Sequence, residues 1–371
     1  RLVLMVLLDF SKAFDSLNHG ICKLAEKFRF SSSAISFIRD YLSERYQSVC
    51  IGTYYSVPLL NGTGIPQGSV LGPLLFSLYI NDLPECLKST SHHMFADDVQ
   101  LYLSFEKPVV NAAVFRMNQD LHAVNEWARA NFLSLNARKS QAIVFSENGT
   151  LPTDTVCLPW VLLGGSVIPY ADKVLNLGML MDKRMVFKDQ VDQICARVFS
   201  RLRSLWPLSQ MFPLKTRLLL VRLLVIPAFT YGECVYSTNL SAVDERSLER
   251  AFSACIRFAY RLRRYDSTRC YVDKLLGAPI LTFLKQRRCS ALHALVVNKE
   301  PSYLFGKLTR GNSSRSGVFV VPRHCTAQYN DSFFVSTLRD YNSLPLCMRK
   351  LNSATKFSRD CLDHLHARPP T

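Results

Sequence analysis

The sequence predicts an α/β chain of the α+β kind: an antiparallel sheet backed by helices, then a basic second half that begins as helix. Three observations carry that expectation. Leu2 to Leu8 is an uninterrupted apolar run that stops at Asp9, the pattern of a buried strand delivering a carboxylate to its end. Met94-Phe95, then Asp97-Asp98, then Val99 to Leu103 read as strand, tight turn and strand, with both carboxylates at the turn. Elsewhere apolar residues recur at three- and four-residue intervals, the period of helices that bury one face.

Taken in order, Leu17, Ile21, Leu24 and Phe28 mark a first helix and Ile35, Ile38 and Leu42 a second, before a strand-like stretch from Gln47 to Ile51. Gly62 to Pro73 is a Gly- and Pro-dense loop that opens a helix through Leu74, Leu75, Leu78 and Leu83. Leu121, Val124, Trp127 and Ala128 define another helix, after which Leu133 to Phe145 alternates toward a strand carrying Lys139 near its middle. From Lys188 to Leu205 the positions Val191, Ile194, Cys195, Val198, Leu202 and Leu205 form a helical stripe, with Arg197, Arg201 and Arg203 off or beside it. Near the end, Asn312 to Gly317 reads as a loop, Val318 to Val321 as a short strand, and the residues after Phe357 are expected to fray.

A chain of 371 residues that is 48% hydrophobic can bury the cores of two or three domains. Lys and Arg number 45 against 29 Asp and Glu. Residues 1–184 hold 16 basic and 16 acidic side chains, so the 29 basic and 13 acidic residues of 185–371 carry the whole formal excess of +16. That half is the one expected to meet a polyanion. The 12 cysteines include no CxxC pair and read as reduced thiols of an intracellular protein, in the nucleus and/or the cytoplasm. The apolar stretch from Leu218 to Phe229 is interrupted by Arg222 and Pro227 and is too short for a membrane span, so no membrane partner is expected. Because the sequence opens directly on Leu2 to Leu8 without a Met, it reads as truncated at its amino-terminal side.

Asp9 at one strand end and Asp97 with Asp98 at a hairpin tip are the parts needed to hold two divalent cations about 3.5–4 Å apart. Oxygen ligands suit Mg²⁺, with Mn²⁺ as a substitute. Taken alone, an Asp-Asp pair in a turn is more simply a turn cap. Cys361, His364 and His366 lack a fourth partner and a regular spacing for a metal site, and His92 and His93 receive no role.

Four segments change that weighting. DFSKAFD (9–15), GIPQGSVLGPLLFSLYINDLP (64–84), FADD (95–98) and LSLNARKSQAIVF (133–145) resemble, in order and spacing, successive motifs of the reverse transcriptases of non-LTR, Jockey-like retrotransposons. DKVLNLGMLMD (172–182) is similar to the motif that follows them, and NDSFFVSTLRDYNSLP (330–345) looks like the carboxy-terminal stretch of these elements, with Tyr341 where a Trp is more usual. The resemblance implies a polymerase palm over 1–184 with the fingers largely missing, a helical thumb over 185–265 and a basic extension over 266–371. It implies an RNA-directed DNA polymerase that adds deoxynucleoside triphosphates to a DNA primer on an RNA template by a two-metal mechanism. Asp9, Asp97 and Asp98 would be its catalytic carboxylates and metal ligands. Phe14 would exclude a 2′-hydroxyl, Gln67 and Gly68 would touch the incoming nucleotide and templating base, and Lys139 would stand near the triphosphate. Leu177 and Gly178 would support the primer end. Arg197, Arg201 and Arg203 would meet backbone phosphates, with Arg257, Arg261, Arg263 and Arg264 as a second surface. The competing expectation is a catalytically inactive remnant that only binds nucleic acid.

Overall fold

The computed structural model describes residues 2–19, 27–146, 158–309, 311, 318–323 and 326–367, and separates into two compact units, Arg1–Leu177 and Gly178–Thr371. In the first unit β1 (Leu2–Leu8), β2 (Ser91–Phe95), β3 (Asp98–Phe105) and β4 (Gln141–Ser146) form one sheet in the order β2-β3-β1-β4. Every neighbouring pair is antiparallel, as expected. The apolar run occupies a central position, where both edges are paired: Leu2 faces Phe105 on one side and Ser146 on the other. Leu2, Leu4, Val6 and Leu8 are fully buried while the alternate residues are half-buried, so one face of β1 meets the core.

Helices α1 (Ser32–Leu42), α2 (Leu71–Ile80) and α3 (Val110–Ala130) accompany this sheet. Along α3, Val110, Val114, Met117, Leu121, Val124 and Ala128 are buried in a single stripe, and the helix packs on β3. The same helix places Asp120 where its carboxylate accepts from the amides of Lys88, Ser89 and Thr90 and from the Thr90 hydroxyl, at 2.8–3.1 Å, tying down the approach to β2. These bonds outweigh burial and hold Asp120 below the usual carboxylate range.

Three expectations about this unit change. The stretch from Gln47 to Ile51 is not one strand; Tyr46–Gln47 pairs with Leu59–Leu60, and Cys50–Ile51 with Tyr54–Tyr55. These residues are exposed, because a two-stranded ribbon carries no layer behind it. The helix beginning at Leu71 stops at Ile80, and Leu83 belongs to a separate 3₁₀ turn. Residues 133–140 are not strand: Asn136 nucleates a turn by accepting from the amides of Arg138 and Lys139, and β4 begins only at Gln141. Part of the first expected helix, residues 20–26, lies outside the described residues.

The second unit is built mainly of helices. In α4 (Lys188–Leu205) the predicted stripe buries Val191, Ile194, Val198 and Leu202, with Cys195 and Leu205 half-buried. It packs on α5 (Ala242–Tyr260), which opens with a capping box between Ser241 and Asp244. The apolar stretch 218–229 is buried only in part and includes a π turn, Val221–Val225, immediately before Ile226 and Pro227. Helix α6 (Ile280–Asn298) contributes Leu284 to this core and Cys289 and Leu292 to another, shared with α7 (Phe333–Asn342) and α8 (Ala354–Ala367).

In that further core His293 stacks on Phe357 at 3.7 Å and hydrogen-bonds Tyr341 Oη at 2.9 Å and the Leu351 carbonyl at 2.8 Å. Burial lowers its pKa. Residues 358–367 therefore do not fray; Phe357 and Cys361 are fully buried anchors of α8, and residues 368–371 lie outside the described residues. Val318–Val321 is reduced to a single bridge residue, Phe319: Val318 O accepts from Gly311 N at 3.0 Å, Val320 N donates to Thr309 O at 2.8 Å, and the Asn342 side chain exchanges two further hydrogen bonds with Phe319. Asn312–Gly317 lies outside the described residues. No helix among those described is long and apolar enough to cross a membrane.

Candidate active site

Asp9 is the first residue past β1, and the backbone around it is clamped from one side. Its amide donates to Ser140 Oγ at 3.2 Å and its carbonyl accepts from the Asn136 amide at 2.8 Å, while Ser11 N donates to the Ser134 carbonyl at 2.8 Å. Phe10 and Leu135 form an antiparallel bridge between these contacts. The segment 133–140, read from sequence as a strand, thus serves as a bracket for Asp9.

The other two carboxylates come from the β2–β3 hairpin. Phe95 and Asp98 close it, with Ala96 and Asp97 as the two turn residues and Ala96 at φ +50°. Leu8 pairs with Val99, so the residue after β1 and the residue before Val99 lie at the same end of the sheet. Partial burial raises the Asp98 pKa first, and the negative charges of Asp97 and Asp9 raise it further. The structure therefore brings the three predicted carboxylates within electrostatic reach of one another.

Asp9 Oδ2 is buried with no hydrogen-bond partner among the described residues. A buried carboxylate oxygen left in that state is costly unless a donor or a cation meets it. Among the described residues no three His, Cys, Asp or Glu side chains are gathered closely enough to form a ready cage. An all-oxygen, all-carboxylate set with an orphaned buried oxygen nevertheless fits a hard divalent cation whose remaining ligands are water and phosphate.

Phe14 is half-buried and stacks on Phe76 of α2 at 4.5 Å and 25°. Its carbonyl accepts from Ile65 N at 2.9 Å, and Leu17 O accepts from Gly64 N at 2.7 Å, joining the turn after Asp9 to the Gly-rich loop. Gly64 is the residue that allows this approach: at φ +80°, an added Cβ would stand 2.7 Å from the Asp15 backbone. The sequence motif marked that loop but not Gly64 as its point of contact. Gln67 is exposed and donates to Asp15 Oδ1 at 2.9 Å; Gly68, at φ +82°, has open space beside it. Lys139 is exposed on the Asn136 turn.

Leu177 and Gly178 both have positive φ, +46° and +78°, and the boundary between the two units falls between them. A left-handed leucine is uncommon and marks a constrained turn. On α4, Arg197 donates to Gln193 at 2.9 Å and Arg201 to the Leu224 carbonyl at 2.6 Å, while Arg203 is exposed. Arg261 is drawn onto the carbonyls of Ser209 and Gln210, both at 2.7 Å. Arg257, expected from the sequence, lines a groove on α5 together with Glu249 and with Arg246 and Arg250, which the sequence did not single out. His366 pairs with Asp273 at 3.2 Å.

This arrangement resembles a known class. Residues 2–181 match the family of the reverse transcriptase (RNA-dependent DNA polymerase). Its relatives include the probable RNA-directed DNA polymerase from transposon BS of Drosophila melanogaster, 29% identical over 55% of this chain and 23% of the relative. The probable RNA-directed DNA polymerase from transposon X-element of the same organism is 27% identical, over 61% of this chain and 25% of the relative. The RNA-directed DNA polymerase from mobile element jockey, also of Drosophila melanogaster, is 26% identical, over 62% and 25% respectively. The relatedness to non-LTR retrotransposon polymerases expected from the motifs is thereby borne out, and the chain spans about a quarter of the length of these relatives.

Proposed function

We propose that this chain is the polymerase portion of a non-LTR retrotransposon RNA-directed DNA polymerase, extending a DNA primer on an RNA template. The observation that supports this most strongly is the convergence of Asp9, Asp97 and Asp98, with Asp9 Oδ2 buried and unpartnered among the described residues and the Asp98 pKa raised by burial and then by its two neighbours.

In this reading the three carboxylates hold two Mg²⁺ ions, for which Mn²⁺ can substitute. Bound there, the ions would lower the pKa of the primer 3′-hydroxyl and stabilise charge on the attacked phosphate and the leaving pyrophosphate. Ser140 and Asn136 fix the backbone of Asp9 so that its carboxylate stays at the sheet end. Phe14, backed by Phe76, offers a ring edge that excludes a 2′-hydroxyl by bulk. Gln67 and Gly68 border the incoming nucleotide, with Gly68 leaving room for the close approach of a base. Lys139 supplies a positive charge toward the departing pyrophosphate. Leu177 and Gly178 support the primer end.

Residues 1–184 act as palm, 185–265 as thumb and 266–371 as a basic extension. Arg197, Arg201 and Arg203, together with Arg246, Arg250 and Arg257, contact duplex phosphates without reading sequence.

The test is Mg²⁺-dependent extension of a DNA primer on an RNA template, comparing the chain with Asp97→Asn. Extension that vanishes in Asp97→Asn supports the reading. Tight binding of the duplex with no extension under any divalent cation would replace it with a non-catalytic nucleic-acid-binding remnant.

A further inference from the structure

Gln100 stands two residues past Asp98 on β3, so strand alternation sends both side chains to one face of the sheet, about 7 Å apart along the strand. That face is not the core side, which Val99 and Leu101 occupy; Gln100 lies opposite the half-buried Leu7 of β1. Gln100 is nonetheless only 7% exposed. A primary amide buried to that degree needs hydrogen-bond partners for its oxygen and its nitrogen. Asn176 supplies both: Gln100 Nε2 donates to Asn176 Oδ1 at 2.6 Å, and Asn176 Nδ2 donates to Gln100 Oε1 at 3.2 Å.

Asn176 ends β5 (Lys173–Asn176) and immediately precedes the Leu177–Gly178 turn. The chain leading to it is tied to the far edge of the sheet, where Ala142 of β4 donates to the Pro169 carbonyl at 3.1 Å and accepts from Ala171 N at 2.8 Å. From β4 to β3 is two strand spacings, about 10 Å, a distance that extended chain from Ala171 to Asn176 spans with about 16 Å of reach. The stretch 169–176 is therefore anchored at both ends, and β1, whose end delivers Asp9, runs between the two anchors. An amide pair makes the second anchor without adding a charge beside Asp98. Both of its residues belong to the first unit.

We infer that Gln100 and Asn176 form a positioning clamp that fixes the entry to the Leu177–Gly178 turn relative to Asp98, so that primer end and carboxylates are presented at one spacing. The inference rests on the polymerase reading above, in which that turn supports the primer. Neither amide is a catalytic residue; each acts through the backbone that it holds.

The test is single-turnover incorporation of one deoxynucleotide by the full chain on a pre-bound DNA primer and RNA template. Amplitude reports the folded, primer-bound fraction, and the rate constant reports how that fraction is arranged. Gln100→Met and Asn176→Leu keep side-chain size and remove the amide pair. Each should lower the rate constant at saturating nucleotide by at least about 10-fold, toward the roughly 10²-fold cost of a 1 Å misplacement. The nucleotide KM should stay within about 2-fold, since no nucleotide contact is lost. The exchange Gln100→Asn/Asn176→Gln conserves the combined length of the pair and should bring the rate constant back to within about 3-fold of the parent chain. Should Gln100→Met fail to fold, the half-buried Asn176→Leu carries the same comparison. Single variants that lose only amplitude or melting temperature, or an exchange as slow as they are, would overturn the clamp. A parent chain that never extends the primer removes the polymerase reading and the clamp together, whereas a parent that extends and variants that match its rate constant remove the clamp alone.

Discussion

Asp9, Asp97 and Asp98 gather charge at the strand ends of the first unit, whereas Arg217, Arg261 and Arg288 of the second unit turn theirs onto carbonyl oxygens of their own chain. Arg217 is buried and donates to the carbonyls of Ala259, Ser209 and Phe212 at 2.8–3.3 Å. Arg288 is buried and donates to Ser237 O and Oγ at 2.6 and 2.7 Å. The first unit leaves an acidic oxygen without a partner, and the second uses cations to close its loops. Net charge therefore overstates what the basic half can offer a polyanion, and a balanced count understates the local field at the acidic tip.

The largest effect that would test this contrast is functional. Asp97→Asn should reduce primer extension by at least about 10⁴-fold, the scale of losing one member of a catalytic set. Its thermal stability should move by no more than about 0.5 kcal/mol, because the turn loses no packing. Equal losses of folding and activity would mean that the acidic tip is structural.

Arg217→Ala should show the reverse, costing about 3 kcal/mol in chemical denaturation as buried carbonyls lose a charged donor. A loss below about 0.5 kcal/mol would show that the loop closes without that arginine. Gly64→Ala should cost about 2 kcal/mol through the left-handed backbone and the contact with Asp15, and should also damage extension. Gly68→Ala, which meets no neighbouring atom, should cost less.

Asp120 gives a pH signature in the first unit. Its folded pKa is depressed, so its contribution is fully present above the unfolded value of about 3.9 and is lost as pH falls through the folded value. Asp120→Asn should remove that titration and flatten the acid limb of stability against pH. An acid limb of unchanged shape would assign the titration to other carboxylates. The smallest effect is expected at Arg203, where Arg203→Ala should leave stability within about 0.5 kcal/mol and lower the salt-dependence slope of duplex binding by about 1. An unchanged slope would remove Arg203 from the phosphate contacts.

Much of this was legible along the chain. The apolar run ending at Asp9, the strand–turn–strand around Asp97 and the stripe from Val191 to Leu202 are local periodicities, and a period survives whatever the element packs against. The family motifs marked the loop between Gly64 and Gly68 and the three carboxylates. Segment 133–140 was misread because alternation over a few residues does not distinguish a strand from a bracket held by Asn136. The helix over residues 358–367 was not legible because the burial of Phe357 and Cys361 depends on His293, Leu338 and Tyr341, which are distant in sequence.

By itself, then, the sequence determined the kinds and order of most elements and the residue types available for chemistry, since both follow from spacing and side-chain character. Tertiary structure alone decided that β1 is central between β3 and β4, that Ser140 and Asn136 hold Asp9, and that Gly64 is the contact glycine. It also decided which arginines close loops and which face water. Each of those outcomes is a pairing between residues far apart in the chain, set by register and hydrogen-bond satisfaction, and neither is encoded in any local window.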